Sequence, residues 1–203
     1  CGGREALKGG QSPNASWVCD TIDVWRKGEE YAIEKVLRLI RDCIPAMVTP
    51  AEVGIVITGG EPLMQQEEVV KLIAISDAYK YYEVETNGTI EPTPYLLLAV
   101  DQWNVSVKLS NSGMKERLRI TAALEVFKKQ KNAFFKIVVT RKKDLAEIGA
   151  LNLPKDRIIL MPGASTQEDM GMLQQVVAGY CKDVGLRYSP RLQIDLWNKA
   201  TGV

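Results

Sequence analysis

Two cysteines, a Thr-Gly-Gly-Glu-Pro run and the lack of histidine decide most of the chemistry open to this chain. The cysteines in question are Cys1 and Cys19, which lie in a polar, Gly-rich stretch where burial explains them poorly. Cys43 and Cys181 instead fall within helical patterns and read as inert core thiols. With no histidine, the commonest general base and the commonest zinc ligand are both missing. A Ser-His-Asp triad and His-based zinc hydrolysis are excluded on that ground. No Gly-Lys-Ser/Thr and no GxGxxG occurs, which disfavours nucleoside triphosphates and Rossmann dinucleotides.

Thr58-Gly59-Gly60-Glu61-Pro62 follows the β-branched run Ile55-Val56-Ile57. Val, Ile and Thr favour a strand, and Gly-Gly and Pro break it. The pair Gly59-Gly60 exposes backbone N–H and C=O groups without side-chain obstruction. Glu61 is placed to accept hydrogen bonds from an ammonium or a ribose. Three further segments end in similar chemistry: Glu85-Thr86-Asn87-Gly88, the run into Thr140-Arg141, and Met161-Pro162-Gly163-Ala164-Ser165. Ser106 and Lys108 alternate along a strand, so both point to one face and could hold a carboxylate. Polar loops alone explain strand-end polarity; they do not explain Ser106 and Lys108.

These groups need elements to carry them. Apolar spacing predicts helices over Glu30–Cys43, Glu67–Tyr79, Pro94–Val100, Met114–Gln130, Asp144–Ala150 and Thr166–Val184. Strands are predicted at Ile55–Thr58, Tyr81–Glu85, Trp103–Lys108, Ala133–Thr140, Arg157–Met161 and Arg187–Leu196. Alternating β and α with short joints implies right-handed crossovers and a parallel sheet. Six strands are too few for a closed eight-stranded barrel, so a partial barrel or an open sheet is expected. In either, the C-terminal strand ends share one edge, and one ligand could touch them all.

Composition sets wider bounds. The 203 residues carry 26 Lys plus Arg against 25 Asp plus Glu, which gives no electrostatic case for nucleic acid or a membrane surface. Hydrophobic content of 46% is ordinary for a globular protein. No apolar run approaches a membrane span, no signal peptide is visible, and a cytoplasmic location is expected. The first residue is Cys1, not Met, which suggests that the natural N-terminus lies upstream.

The motifs together resemble a known family. Thr58-Gly-Gly-Glu-Pro62 is similar to the signature of radical S-adenosylmethionine (SAM) enzymes. Adding Cys19-Asp-Thr21, Glu85-Thr-Asn-Gly-Thr89, Ser106-Val-Lys108, Tyr188-Ser-Pro-Arg-Leu192 and Leu196-Trp197, the chain resembles the 7-carboxy-7-deazaguanine synthases nearly end to end. That resemblance implies an α/β partial (β/α)6-type TIM barrel with a mostly parallel sheet. It implies one radical SAM domain over 1–203, with a cluster-binding loop at 1–29, βα repeats over 30–184, and a strand and tail at 185–203.

It further implies a 4Fe-4S cluster on three thiolates, with one iron left open for SAM. SAM is reductively cleaved to a 5′-deoxyadenosyl radical, and 6-carboxy-5,6,7,8-tetrahydropterin loses ammonia to become 7-carboxy-7-deazaguanine. By the same resemblance, Asp20, Gly59, Gly60, Glu61, Ser106, Val107, Lys108, Met161 and Pro162 meet SAM. Thr58, Glu85 and Asn87 meet the pterin, and Thr21 offers a hydroxyl to Mg2+. Implied partners are an electron donor such as flavodoxin and a second copy of the chain, with neither nucleic acid nor membrane. Val107 replaces a Pro of the family pattern, and only Pro162 is kept from a Gln-Pro-x-Asp segment.

The cluster motif departs most. The usual CxxxCxxC spacing would put its first two cysteines at Ser12 and Ser16. Either these serines are true replacements and the cluster is lost, or the cysteine loop is expanded. In the expanded form Cys1 and Cys19 are ligands and a third cysteine lies upstream. Two rival functions remain at this point. One is a radical SAM activase that makes a glycyl radical on a partner protein, and the other is a SAM- or pterin-binding domain without catalysis.

Overall fold

The computed structural model of the chain describes residues 15–17, 28–115, 121–164 and 166–198. Six strands run through it: β1 (Gly54–Ile57), β2 (Tyr81–Thr86), β3 (Gln102–Val107), β4 (Ala133–Val139), β5 (Ile158–Pro162) and β6 (Arg187–Tyr188). Helix α1 (Ile33–Asp42) precedes β1. The crossovers carry α2 (Gln66–Ile75), α3 (Pro94–Ala99), α4 (Ala122–Lys129), α5 (Asp144–Ala150) and α6 (Gln167–Val184). Helix α7 (Leu192–Trp197) follows β6.

Every neighbouring pair is parallel, and the order is β1-β2-β3-β4-β5-β6. A doubly wound sheet reverses its order at a switch point; this one never reverses. Sequential order with crossovers of one hand keeps the helices on one face and curls the sheet. Among the described strands β1 and β6 each pair on one side only. The result is an open partial barrel, as the alternation predicts.

Alternate residues sort the two faces. Ile55, Tyr82, Val84, Trp103, Val105, Phe135, Ile137, Ile158 and Leu160 are buried in one core with Leu37, Val69, Ile73, Leu96, Leu124, Phe127, Ile148 and Val177 from the helices. Each such side chain gives about 1.5–3 kcal/mol when fully buried. That sum fixes which face of each strand meets the helices. The other face carries Val56, Glu83, Glu85, Asn104, Ser106, Phe134, Lys136, Val138, Ile159 and Met161. Glu83, Glu85, Ser106 and Lys136 there are half-buried. This is the concave face of the sheet.

Three expected elements differ. The last strand, expected over Arg187–Leu196, is only Arg187–Tyr188. Pro190 cannot donate to a ladder, and Leu192–Trp197 winds into α7. Within the helix expected over Met114–Gln130, Ala122–Lys129 is helical, and Thr121 before it is extended (φ −124°, ψ 163°) and donates its hydroxyl to the Gly88 carbonyl at 3.0 Å. Residues 116–120 lie outside the described residues. Helix α2 stops at Ile75 rather than Tyr79. Ser76 Oγ turns back on the Leu72 carbonyl (2.6 Å) and meets the Tyr82 hydroxyl (2.8 Å), which competes with the helical ladder.

Candidate functional site

The loop after β1 is open backbone braced by one carboxylate. Gly59 sits at φ +132°, where an L side chain is strained, and the space a Cβ would enter is empty. Glu61 then turns inward. Its Oε1 accepts from Leu63 N (3.1 Å) and Thr86 Oγ1 (2.7 Å), and its Oε2 accepts from Asn87 N (2.7 Å). The β1 loop is thereby buckled to the end of β2. Glu61 spends most of its acceptor capacity inside the chain, leaving the Gly59-Gly60 backbone as the free surface of the loop.

On the concave face, Thr58 donates to Glu85 Oε2 at 3.1 Å, and Lys136 donates to Glu85 Oε1 at 3.0 Å. Lys136 reaches from β4 across β3 to do so. One layer down, Glu83 accepts from Gln102 Nε2 (3.2 Å) and from the buried Asn104. Burial pushes the Glu83 carboxyl above its ordinary range, with the Glu85 charge adding to that, while Lys136 and the Asn104 hydrogen bond oppose it. Ser106 and Lys108 share the face as expected, with Lys108 Nζ donating to Ser106 Oγ at 2.5 Å. Asn87 uses its side chain locally, accepting from Thr89 N at 2.9 Å and from the Thr89 hydroxyl. It presents no side-chain group that is committed to a neighbouring strand end.

Val107 is buried in the apolar core, so only its backbone can serve a ligand. Met161 lies on the concave face, and Pro162 is turned away from it. The loop after β5 is closed down by Arg191, which is buried and donates to the Ala164 carbonyl. Gly163 is needed there, since a Cβ would strike the Thr140 methyl and Val138.

A further network pins residues 15–17 to the same edge. Ala15 bridges Ser112, Ser16 N donates to the Asn111 carbonyl (2.8 Å), and Trp17 Nε1 donates to Asn111 Oδ1 (3.1 Å). Asn111 Nδ2 in turn donates to Asp144 Oδ2 at 2.8 Å and to the Val138 carbonyl at 2.9 Å. Asp144 also accepts from Thr140 N (2.9 Å), Arg141 N (3.2 Å) and Arg141 Nε (3.3 Å). Trp17, Asn111 and Asp144 are all buried. The Lys108 ammonium stands 5.6 Å from the Trp17 ring centroid. The Thr140-Arg141 strand end therefore serves this anchor.

Cys1, Cys19, Asp20 and Thr21 lie outside the described residues. Among the described residues no group of three or more metal-ligating side chains forms. An unobstructed Gly59 backbone, an ammonium on Ser106 and a carboxylate-bearing floor suit a ligand that carries ammonium, carboxylate and hydroxyl groups at once. Lys136, Glu83 and the Asn111–Asp144 pair escaped the sequence reading. For Lys136 a signal existed: it is a charge at the inward phase of an otherwise apolar strand.

No protein-family model matches the chain. It is similar to 7-carboxy-7-deazaguanine synthase of Pyrobaculum aerophilum, with 32% identity over 91% of this chain and 81% of that protein. The enzyme of that name from Halobacterium salinarum is 30% identical over 72% of this chain and 65% of its own length. The one from Rhodopirellula baltica is 24% identical over 92% of this chain and 76% of its own length. Among solved structures, Streptococcus suis SuiB, bound to S-adenosylmethionine, matches the fold with a TM-score of 0.57 at 13% identity. That match covers 87% of this chain and 48% of SuiB.

Proposed function

The chain belongs to the 7-carboxy-7-deazaguanine synthase family, and we propose that the concave edge of its sheet holds SAM and the pterin side by side. The reaction is conversion of 6-carboxy-5,6,7,8-tetrahydropterin to 7-carboxy-7-deazaguanine with loss of ammonia. SAM beside a reduced iron–sulfur cluster supplies the radical that starts the rearrangement, and the protein's task is positioning.

The Gly59-Gly60 backbone receives the ammonium of SAM, and Lys108 with Ser106 receives its carboxylate or ribose. Thr58 and Glu85 face the pterin. Met161 packs against the ligand from the β5 side, while Val107 and Pro162 contribute backbone. Cys1 and Cys19 are cluster ligands, Asp20 is a SAM contact and Thr21 supplies a hydroxyl to Mg2+. A reductant of the flavodoxin kind, a homodimer and a cytoplasmic setting complete the reading. Among the described residues no helix is long and apolar enough to cross a membrane.

The single observation that carries the site is the braced loop: Glu61 ties it to the end of β2 while Gly59 and Gly60 stay exposed. The test is an anaerobic assay of the iron- and sulfide-reconstituted protein with SAM, reductant, Mg2+ and the carboxylated pterin. Mass detection of the deazaguanine acid is the expected result. SAM cleavage that proceeds equally without the pterin would favour the activase chemistry instead. Cys19→Ala should lose iron on reconstitution, and unchanged iron content would remove Cys19 from the ligand set.

A further inference from the structure

Lys136 is an odd residue for its place. It occupies the inward phase of β4 between Phe134 and Val138, where an apolar side chain would satisfy the fold. Its ion pair with Glu85 spans two strands, and the partners' side chains remain 27% and 41% exposed. A pair so open to solvent gives only about 0–1 kcal/mol of stability. Stability is therefore a poor reason to keep it.

Its geometry gives a better one. Glu85 is gripped at both oxygens, by Lys136 at 3.0 Å and by Thr58 at 3.1 Å. The two donors come from opposite sides, β4 and the end of β1, so the carboxylate plane is fixed. Glu83 lies two residues earlier on the same face and carries a like charge. Without Lys136, Glu85 would be pushed by Glu83 and held by Thr58 alone.

Resting on the reading that Glu85 meets the substrate, we propose that Lys136 is a positioning residue for the pterin, aiming the Glu85 carboxylate at the row of N–H donors along the aminopyrimidinone edge. A carboxylate pairs with two such donors only when its plane is aligned with them. Lys136 touches neither SAM nor the reacting carbons in this arrangement. Its loss should therefore weaken one substrate and spare the other.

The test varies the pterin and SAM separately in steady state. Lys136→Met should raise KM for the pterin about tenfold, the cost of one charge-assisted hydrogen bond, while KM for SAM stays within about twofold. Lys136→Arg, which keeps the charge, should recover most of the loss. Lys136→Gln replaces the Met variant if that one does not fold. Equal rises in both KM values, or no rise for the pterin, would overturn the proposal. Glu85→Gln separates the premise: if it leaves KM for the pterin unchanged, Glu85 does not meet the substrate and both readings fall. If Glu85→Gln raises that KM and Lys136→Met does not, only the role of Lys136 is lost.

Discussion

At the scale of single residues, Glu61 has a structural task that its motif position does not announce. Its type suggests a ligand acceptor; its hydrogen bonds show a brace on Thr86 Oγ1, Asn87 N and Leu63 N. Glu61→Gln keeps the shape but loses a charged acceptor, and each such bond is worth about 1.5–3 kcal/mol. The variant should unfold at lower urea and show a higher KM for SAM, because Gly59-Gly60 loses its support. An unchanged urea midpoint would show that the brace is not needed. Glu83 makes the opposite prediction. Its folded pKa is raised, chiefly by burial. Such a group favours folding below its unfolded pKa, and that contribution is lost as pH rises through the folded value. Glu83→Gln removes the burdened charge, so it should stabilise the protein modestly at pH 7. The gain should shrink as pH falls below the ordinary carboxylate range. Thermal unfolding at pH 7 and at pH 4 measures both ends, and a gain that grows on acidification would refute the sign.

At the scale of elements, the strands were legible because every second residue is apolar and each run is punctuated. Ala133–Val139 alternates buried and half-buried along its whole length. The Arg187–Leu196 segment misled because its apolar residues fit either period. Pro190 and the turn at Arg191 decide for a helix, and α7 packs its Ile194 against Met170 and Ala164. What no local pattern shows is cross-strand partnership. Lys136 and Glu85 are far apart in sequence and meet only once the register of β2, β3 and β4 is known. The same holds for the anchor that joins Trp17 to the loop after β3 and to α5. Asp144 is 1% exposed, and donors from the backbone, Asn111 and Arg141 surround its side chain. Asp144→Ala leaves Asn111 Nδ2 and Thr140 N short of an acceptor and should cost about 3 kcal/mol. Trp17→Phe removes the indole donor together with one ring of a buried side chain and should also destabilise. Because both act through Asn111, the double variant should cost less than the sum, with a coupling of about 0.5–1 kcal/mol. Urea unfolding of the four proteins gives the cycle. Strict additivity would mean that the segment before Cys19 is not held by this network.

At the scale of the whole molecule, the groups assigned to SAM and the pterin among the described residues come from the C-terminal ends of β1, β2, β3 and β5, with Lys136 from β4 between them. A ligand that spans these ends adds a further tie between βα units that the shared core already joins. Binding to the folded state alone stabilises it by about 2.7 kcal/mol at a hundred times Kd. For a domain of 150–250 residues, 1 kcal/mol moves Tm by about 2–4 °C, so saturating SAM should raise Tm by about 5–10 °C. Linkage fixes that size wherever the ligand sits, so location needs a second readout. Amide hydrogen exchange supplies it. If SAM bridges the strand ends, protection should rise together at Gly59–Glu61, Asn87–Gly88, Lys108–Leu109 and Gly163–Ala164. The lower ends of the same strands, at Tyr81 and Gln102, should change least. Protection confined to the β1 loop would mean that the ligand rests on one strand end, and the shared site across the sheet would have to be given up.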